Sequence, residues 1–176
     1  TYSFTVRAFD ASGNRSAATT ALIVDNSIRG MYYSLPTGNL EVASTWKKNP
    51  DGTGPSPANF SENGQTFMIH NRTSVALQSP WVVSGTGSKV VVSEGTLLEL
   101  NATCTCALEL QGDIKLILNH DTIPTLTGIS PQSTIEFHDV NTIPAYEFGN
   151  VVLSGGSTKN FEGAVTNILG NLYVGK

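Results

Sequence analysis

Short apolar runs separated by small and polar residues fill the chain from Trp81 to Val174. Trp81-Val82-Val83, Lys89-Val90-Val91-Val92, Leu97 to Leu100 and Ala107-Leu108-Glu109-Leu110 follow one another. Gly85-Thr86-Gly87-Ser88, Gly112-Asp113 and Gly155-Gly156-Ser157 lie between such runs. Runs this short, bounded by Gly and Ser, predict strands joined by tight corners. The pattern also repeats. Ile114 to Pro124 is echoed by Ile135 to Pro144, and Gly149-Asn150-Val151-Val152-Leu153 returns as Gly170-Asn171-Leu172-Tyr173-Val174. Position 114 maps to 135, 116 to 137, 149 to 170 and 151 to 172, a step of about 21 residues. Strand units that cannot bury an apolar face alone, repeated at such a period, predict a stack. The expected fold is all-β: a right-handed parallel β-helix, or β-solenoid, over 81–176. Its rungs would pair in parallel and bury an inward row of Val, Leu and Ile.

Upstream the pattern changes. Residues 28–80 are irregular, with Pro50, Pro55 and Pro57 close together around Asp51-Gly52-Thr53-Gly54, which excludes a helix or central strand there. Gln65 to Asn71 reads as the first clear strand beyond them. An open solenoid end templates edge pairing, so 28–80 is expected to be a linker and N-terminal cap anchored by Tyr33 and Trp46. In 1–27, Tyr2, Phe4 and Val6 alternate with polar residues, Asp10 to Asn14 form a turn, and Ala18 to Val24 form a second strand. This piece resembles the last two strands of a fibronectin type III domain, covering about a quarter of that sandwich. The chain opens strand-like, with no leader, and closes within a strand. It therefore reads as an excerpt whose rungs continue beyond Lys176.

Composition narrows the function classes. Fourteen acidic residues against ten basic give a net charge of −4 and no basic stripe for a phosphate backbone, so no nucleic acid is expected. No apolar run reaches the ~20 residues a membrane helix needs. Cys104 and Cys106 would share one face of a strand. They are too few for structural zinc and are expected to be small core residues rather than a strained disulfide or a redox pair.

Candidate chemistry is sparse. His120-Asp121 and His138-Asp139 lie in equivalent segments, so stacking could place carboxylates on adjacent rungs, to bind calcium or to work as acid and base on a polysaccharide. The plainer reading makes them corner residues beside Thr-Ile-Pro turns, because the pairs are 18 residues apart while the strands step by about 21. Asp51, in Asn49 to Gly54, offers loop oxygens for calcium but lacks the carboxylate alternation of an EF-hand; a turn in the cap is the plainer reading. Tyr32, Tyr33, Trp46 and Trp81 could stack on a sugar if exposed, although large aromatics more often anchor cores. Sequons at Asn14, Asn59, Asn71 and Asn101 are common by chance in a chain this rich in Asn, Ser and Thr.

The series Tyr32-Tyr33-Ser34, Gly38-Asn39-Leu40, Thr45-Trp46, Asp51-Gly52-Thr53-Gly54, Asn59-Phe60, Gln65-Thr66-Phe67, Trp81 to Val90 and Phe148 to Gly155 resembles a module of large Bacteroidetes surface proteins. The resemblance spans about residues 30–176. It implies secretion through the type IX system, a place at the cell surface, and a structural or adhesive stalk role with no catalytic residues to carry over. Surface glycans, other cell-surface proteins and the secretion machinery are the partners it implies. Asp121-Thr122-Ile123 resembles the O-glycosylation acceptor of that phylum, with Thr122 as the attachment residue. The expected function is therefore a non-enzymatic stalk module without a required cofactor. The alternatives are a carbohydrate-binding or polysaccharide-cleaving β-helix, and a secretion-system cargo segment.

Overall fold

A computed structural model describes residues 2–5, 7–19, 22–24, 30–163 and 166–175. Val6 and residues 28 and 29, where the expected linker and cap begins, lie outside the described residues. At the N-terminus β1 (Tyr2–Phe4) pairs antiparallel with β2 (Leu22–Val24), Tyr2 opposite Val24. Then come β3 (Met31–Ser34), a 3₁₀ turn at Ala43–Thr45 and β4 (Trp46–Lys47).

The rest of the chain winds. β5 (Thr66–Ile69), β6 (Ser74–Leu77) and β7 (Trp81–Val82) make one coil. β8 (Lys89–Val92), β9 (Leu97–Leu100) and β10 (Cys104–Thr105) make the next, followed by β11 (Ala107–Leu110) and β12 (Lys115–Leu118). The fourth coil has β13 (Thr125–Ile129), β14 (Thr134–Phe137) and β15 (Thr142–Ile143). β16 (Glu147–Phe148), β17 (Asn150–Leu153) and β18 (Asn160–Phe161) precede β19 (Asn167–Ile168) and β20 (Leu172–Val174). The result is a parallel β-solenoid of about six turns. Its first sheet runs β4-β3-β5-β8-β11-β13 and its second β6-β9-β12-β14-β17-β20, and only β3–β4 is antiparallel within them. Short parallel pairs, β7–β10, β15–β18 and β16–β19, complete other sides.

Alternation explains which face turns inward, because a period of two puts every second side chain on the core side. In the second sheet Val75, Leu98, Leu116, Ile135 and Val151 stack as one buried column. Leu77, Leu100, Leu118, Phe137 and Leu153 form another. Phe67, Val90, Leu108 and Leu126 face them from the first sheet. Each coil thus buries its apolar row across its own two sheets and against the coils stacked on it, as expected of a solenoid.

The uniform step of about 21 residues is corrected by the register. Ile135 lies over Leu116 and Phe137 over Leu118, not over Ile114 and Leu116. The step from Val151 to Leu172 is as expected. Matching the corner motifs Thr122-Ile123-Pro124 and Thr142-Ile143-Pro144 misaligns the strands, because corner length varies from coil to coil. A slip of two keeps the same face inward, so the hydrophobic pattern alone does not detect it. Parallel stacking also reaches back into the segment expected to cap, since β5 and β6 pair in register with β8 and β9, and β3 with β5.

Aromatic rings close the N-terminal end. Trp46 is fully buried and donates from Nε1 to the Leu40 carbonyl at 2.7 Å. Its ring meets Phe67 edge-on at 5.2 Å, while Tyr32 stacks on Phe67 and Phe60 packs edge-on against Phe67 and Trp81. Tyr33, expected as the second anchor, is only half-buried; its hydroxyl turns to the Met31 sulfur and its ring to His70. Alternation in β3 makes Tyr32 the inward residue instead. The buried Arg72 guanidinium donates to the carbonyls of Leu35, Thr37 and Gly38, fixing the loop laid across this end.

Candidate functional site

The outer face of the second sheet carries its own columns. Ala76, Glu99, Ile117, Glu136, Val152 and Tyr173 stack in register across all six strands. Two residues further along each strand path, Asn101, Asn119, His138 and Ser154 follow one another, each amide bonded to a carbonyl of the preceding coil. Together the two columns line an open hollow of about 460 Å³ formed by Glu99, Asn101, Ile117, Asn119, Glu136, His138 and Asp139.

Two hydrogen-bond systems hold these side chains. In the first, the Asn119 amide donates to Glu99 Oε1 at 2.9 Å and to Asn101 Oδ1 at 2.7 Å. In the second, Lys115 Nζ meets Glu136 Oε2 at 2.8 Å, and Ser154 Oγ donates to Glu136 Oε1 at 2.7 Å. His138 Nδ1 lies 3.0 Å from the same Ser154 oxygen. The one hydroxyl proton of Ser154 goes to Glu136, which leaves Nδ1 as the donor in the His138–Ser154 pair, and Nε2 is an acceptor whenever the ring is neutral. Nε2 faces Asp139 Oδ2 at 3.9 Å. Partial burial works to raise the Glu136 pKa. The bonds from Lys115 and Ser154, helped by the charges of Lys115 and His138, outweigh it and hold the carboxyl below its ordinary value.

The bonds within the hollow decide what its side chains can do. His138 donates to Ser154 and does not take its proton, so Ser154 is not activated as a nucleophile. Both Glu136 oxygens already accept, Oε2 from Lys115 and Oε1 from Ser154. Glu99 and Glu136 are two coils apart, roughly 10 Å along the stack, with Ile117 between them. Among the described residues no group of three or more His, Cys, Asp or Glu side chains could hold a metal ion.

The residues singled out from the sequence are dispersed. His138 and Asp139 rim this hollow, whereas Asp121 lines a smaller one with Ile123, Pro124, Thr142, Pro144, Tyr146 and Glu162. His120 accepts from the Thr122 amide and lies 3.5 Å from Thr103 Oγ1. Asp121 accepts from the Asn141 amide at 3.3 Å, and Asp121 and Asp139 line different hollows. Asp51 closes a local turn by accepting from the Thr53 amide and hydroxyl, and those bonds lower its pKa. Thr122 is exposed. Trp46 and Trp81 are buried, which rules out the aromatic platform built on them. Glu99, Asn101, Lys115, Asn119, Glu136 and Ser154 were not singled out from the sequence. Their signal, a polar residue at the outward position of an apolar strand or just past its end, acquires meaning only once the coils are aligned.

The architecture and this face define a parallel β-solenoid with a polar, hydrogen-bonded outer surface. No family model matches the chain, and no curated protein or solved structure is detectably similar to it. Among the described residues no helix is long and apolar enough to cross a membrane.

Proposed function

We propose that the chain is a structural and adhesive stalk module of a large secreted or cell-surface bacterial protein, with no catalysis of its own. The observation that carries this reading is the uninterrupted stack. Aliphatic residues occupy every position of the inner column from Val75 to Val151, and each coil is tied to the next by in-register parallel pairing. Such a rod extends by adding coils, each of which needs only its neighbours. The outer polar groups are bonded to one another in a pattern that stiffens a face and leaves no activated nucleophile. In this reading the coil is right-handed, β1 and β2 belong to a fibronectin-like neighbour, and the parent protein leaves the cell through a type IX route. Thr122, exposed on a corner, is the glycan attachment residue.

Single-molecule pulling on the chain between terminal handles tests the stalk role. Successive force peaks, each releasing about one coil of roughly 20 residues, are expected. Extension at the low force of a disordered chain contradicts the reading.

A further inference from the structure

We infer that the hollow on the outer face of the second sheet is a binding site for a neutral oligosaccharide lying along the solenoid axis. The inference rests on the adhesive part of the reading above and assigns it a surface and a ligand class. Four features of the hollow carry it.

The first is spare hydrogen-bonding capacity. Among the described residues Glu99 Oε2, Asn119 Oδ1 and His138 Nε2 have no hydrogen-bond partner in the protein, while the other atoms of the same groups are held at 2.7–3.0 Å. The side chains are therefore fixed before any ligand arrives, which lowers the ordering cost of binding. The free atoms are acceptors or an imidazole nitrogen, suited to sugar hydroxyl donors.

The second is the floor. Half-buried Ile117 sits between the two carboxylates, an apolar patch on which the C–H face of a sugar ring can rest. The third is spacing: Asn101, Asn119, His138 and Ser154 follow one another at about 4.8 Å per coil, close to the length of one hexose unit, so a linear glycan meets a polar side chain on each successive coil. The fourth is charge. Glu99, Glu136 and Asp139 line the hollow, and the adjacent cation Lys115 is already spent on Glu136. An acidic polysaccharide would be repelled, so the ligand is neutral. The polysaccharide-binding alternative raised by the sequence for His120, Asp121, His138 and Asp139 thus keeps His138 and Asp139 and adds Glu99, Ile117 and Asn119.

The test is direct binding of the full chain to immobilised neutral hexose oligosaccharides, with uronic acid-containing oligosaccharides in parallel. Asn119→Ala and Glu99→Gln should each weaken neutral-glycan binding about tenfold or more, since each removes or neutralises a contact. Glu109→Gln, on the first sheet, should leave it unchanged. Circular dichroism and thermal melting establish that each variant keeps the fold. No binding to neutral glycans, preference for acidic ones, or binding indifferent to both variants would overturn the inference. The pulling experiment reads the stalk role independently, so the site can fail while the stalk stands.

Discussion

Trp46 lies nearly flat against Trp81, their ring centroids 5.5 Å apart and their planes 23° from parallel. Trp46 comes from the loop-rich segment before the coils and Trp81 from the first coil, so this contact is where the irregular segment becomes the end of the core. Replacing Trp46 by Ala deletes a fully buried ring and leaves the Leu40 carbonyl without its indole donor. Loss of about 3–5 kcal/mol is expected, read by urea unfolding followed by circular dichroism. A loss below about 1 kcal/mol would show that the cap is not coupled to the coils.

Gly149 marks a corner where backbone approaches backbone. A Cβ there would lie 2.5 Å from the Pro131 carbonyl oxygen and 2.6 Å from that of Ser133, neither of which is free to swing away. Gly149→Ala is expected to lower the melting temperature by several degrees, corresponding to about 1–3 kcal/mol of crowding. Gly156→Ala, where nothing lies within 4 Å, should melt with the parent protein. Equal melting of the two variants would contradict the corner geometry.

Glu136 and Glu109 both have carboxyl pKa values held below the ordinary one, Glu109 by bonds from Lys89 and Gln111, Glu136 against the opposing effect of burial. A depressed folded-state pKa stabilises above the unfolded value near 4.3, and the contribution disappears as pH falls through the folded-state value. Because Lys115 and Lys89 are substantially exposed, each pair contributes only about 0.2–1 kcal/mol. Glu136→Gln should therefore cost little at pH 7 and flatten the acid limb of the stability–pH curve. A steeper acid limb in the variant would reverse the assigned sign.

Cys104 and Cys106 are free, buried thiols with their sulfurs 3.2 Å apart. The contact with Cys104, then burial, pushes the Cys106 thiol far up, away from the reactive thiolate. Neither cysteine should react with a thiol reagent within minutes in the native protein at pH 7.5, and both should react at once in denaturant. Rapid native labelling would argue against their core position.

The inward face of the fold was legible in the alternation of residues such as Leu116, Leu118, Ile135 and Phe137, because burial on a strand has a period of two. The coil register was not. The strand path advances 16 residues from Glu136 to Val152 and 21 from Val152 to Tyr173, so no single step aligns the coils. The candidate site suffered accordingly: His138-Asp139 was conspicuous as a pair, whereas Asn119 gains its role only from Glu99 and Asn101 one coil earlier. Tyr33 and Tyr32 show the same limit, since adjacent aromatic residues differ only in which way the strand turns them.

Spin-label distances along the outer column of Ala76, Glu136, Val152 and Tyr173 test the stacked register most directly. Pairs from position 76 to 136, 152 and 173 span three, four and five coil spacings, so mean separations near 14, 19 and 24 Å, about 4.8 Å per coil, are expected. Distances that fail to rise in that order, or that rise by much more than one coil spacing per step, would contradict the parallel solenoid.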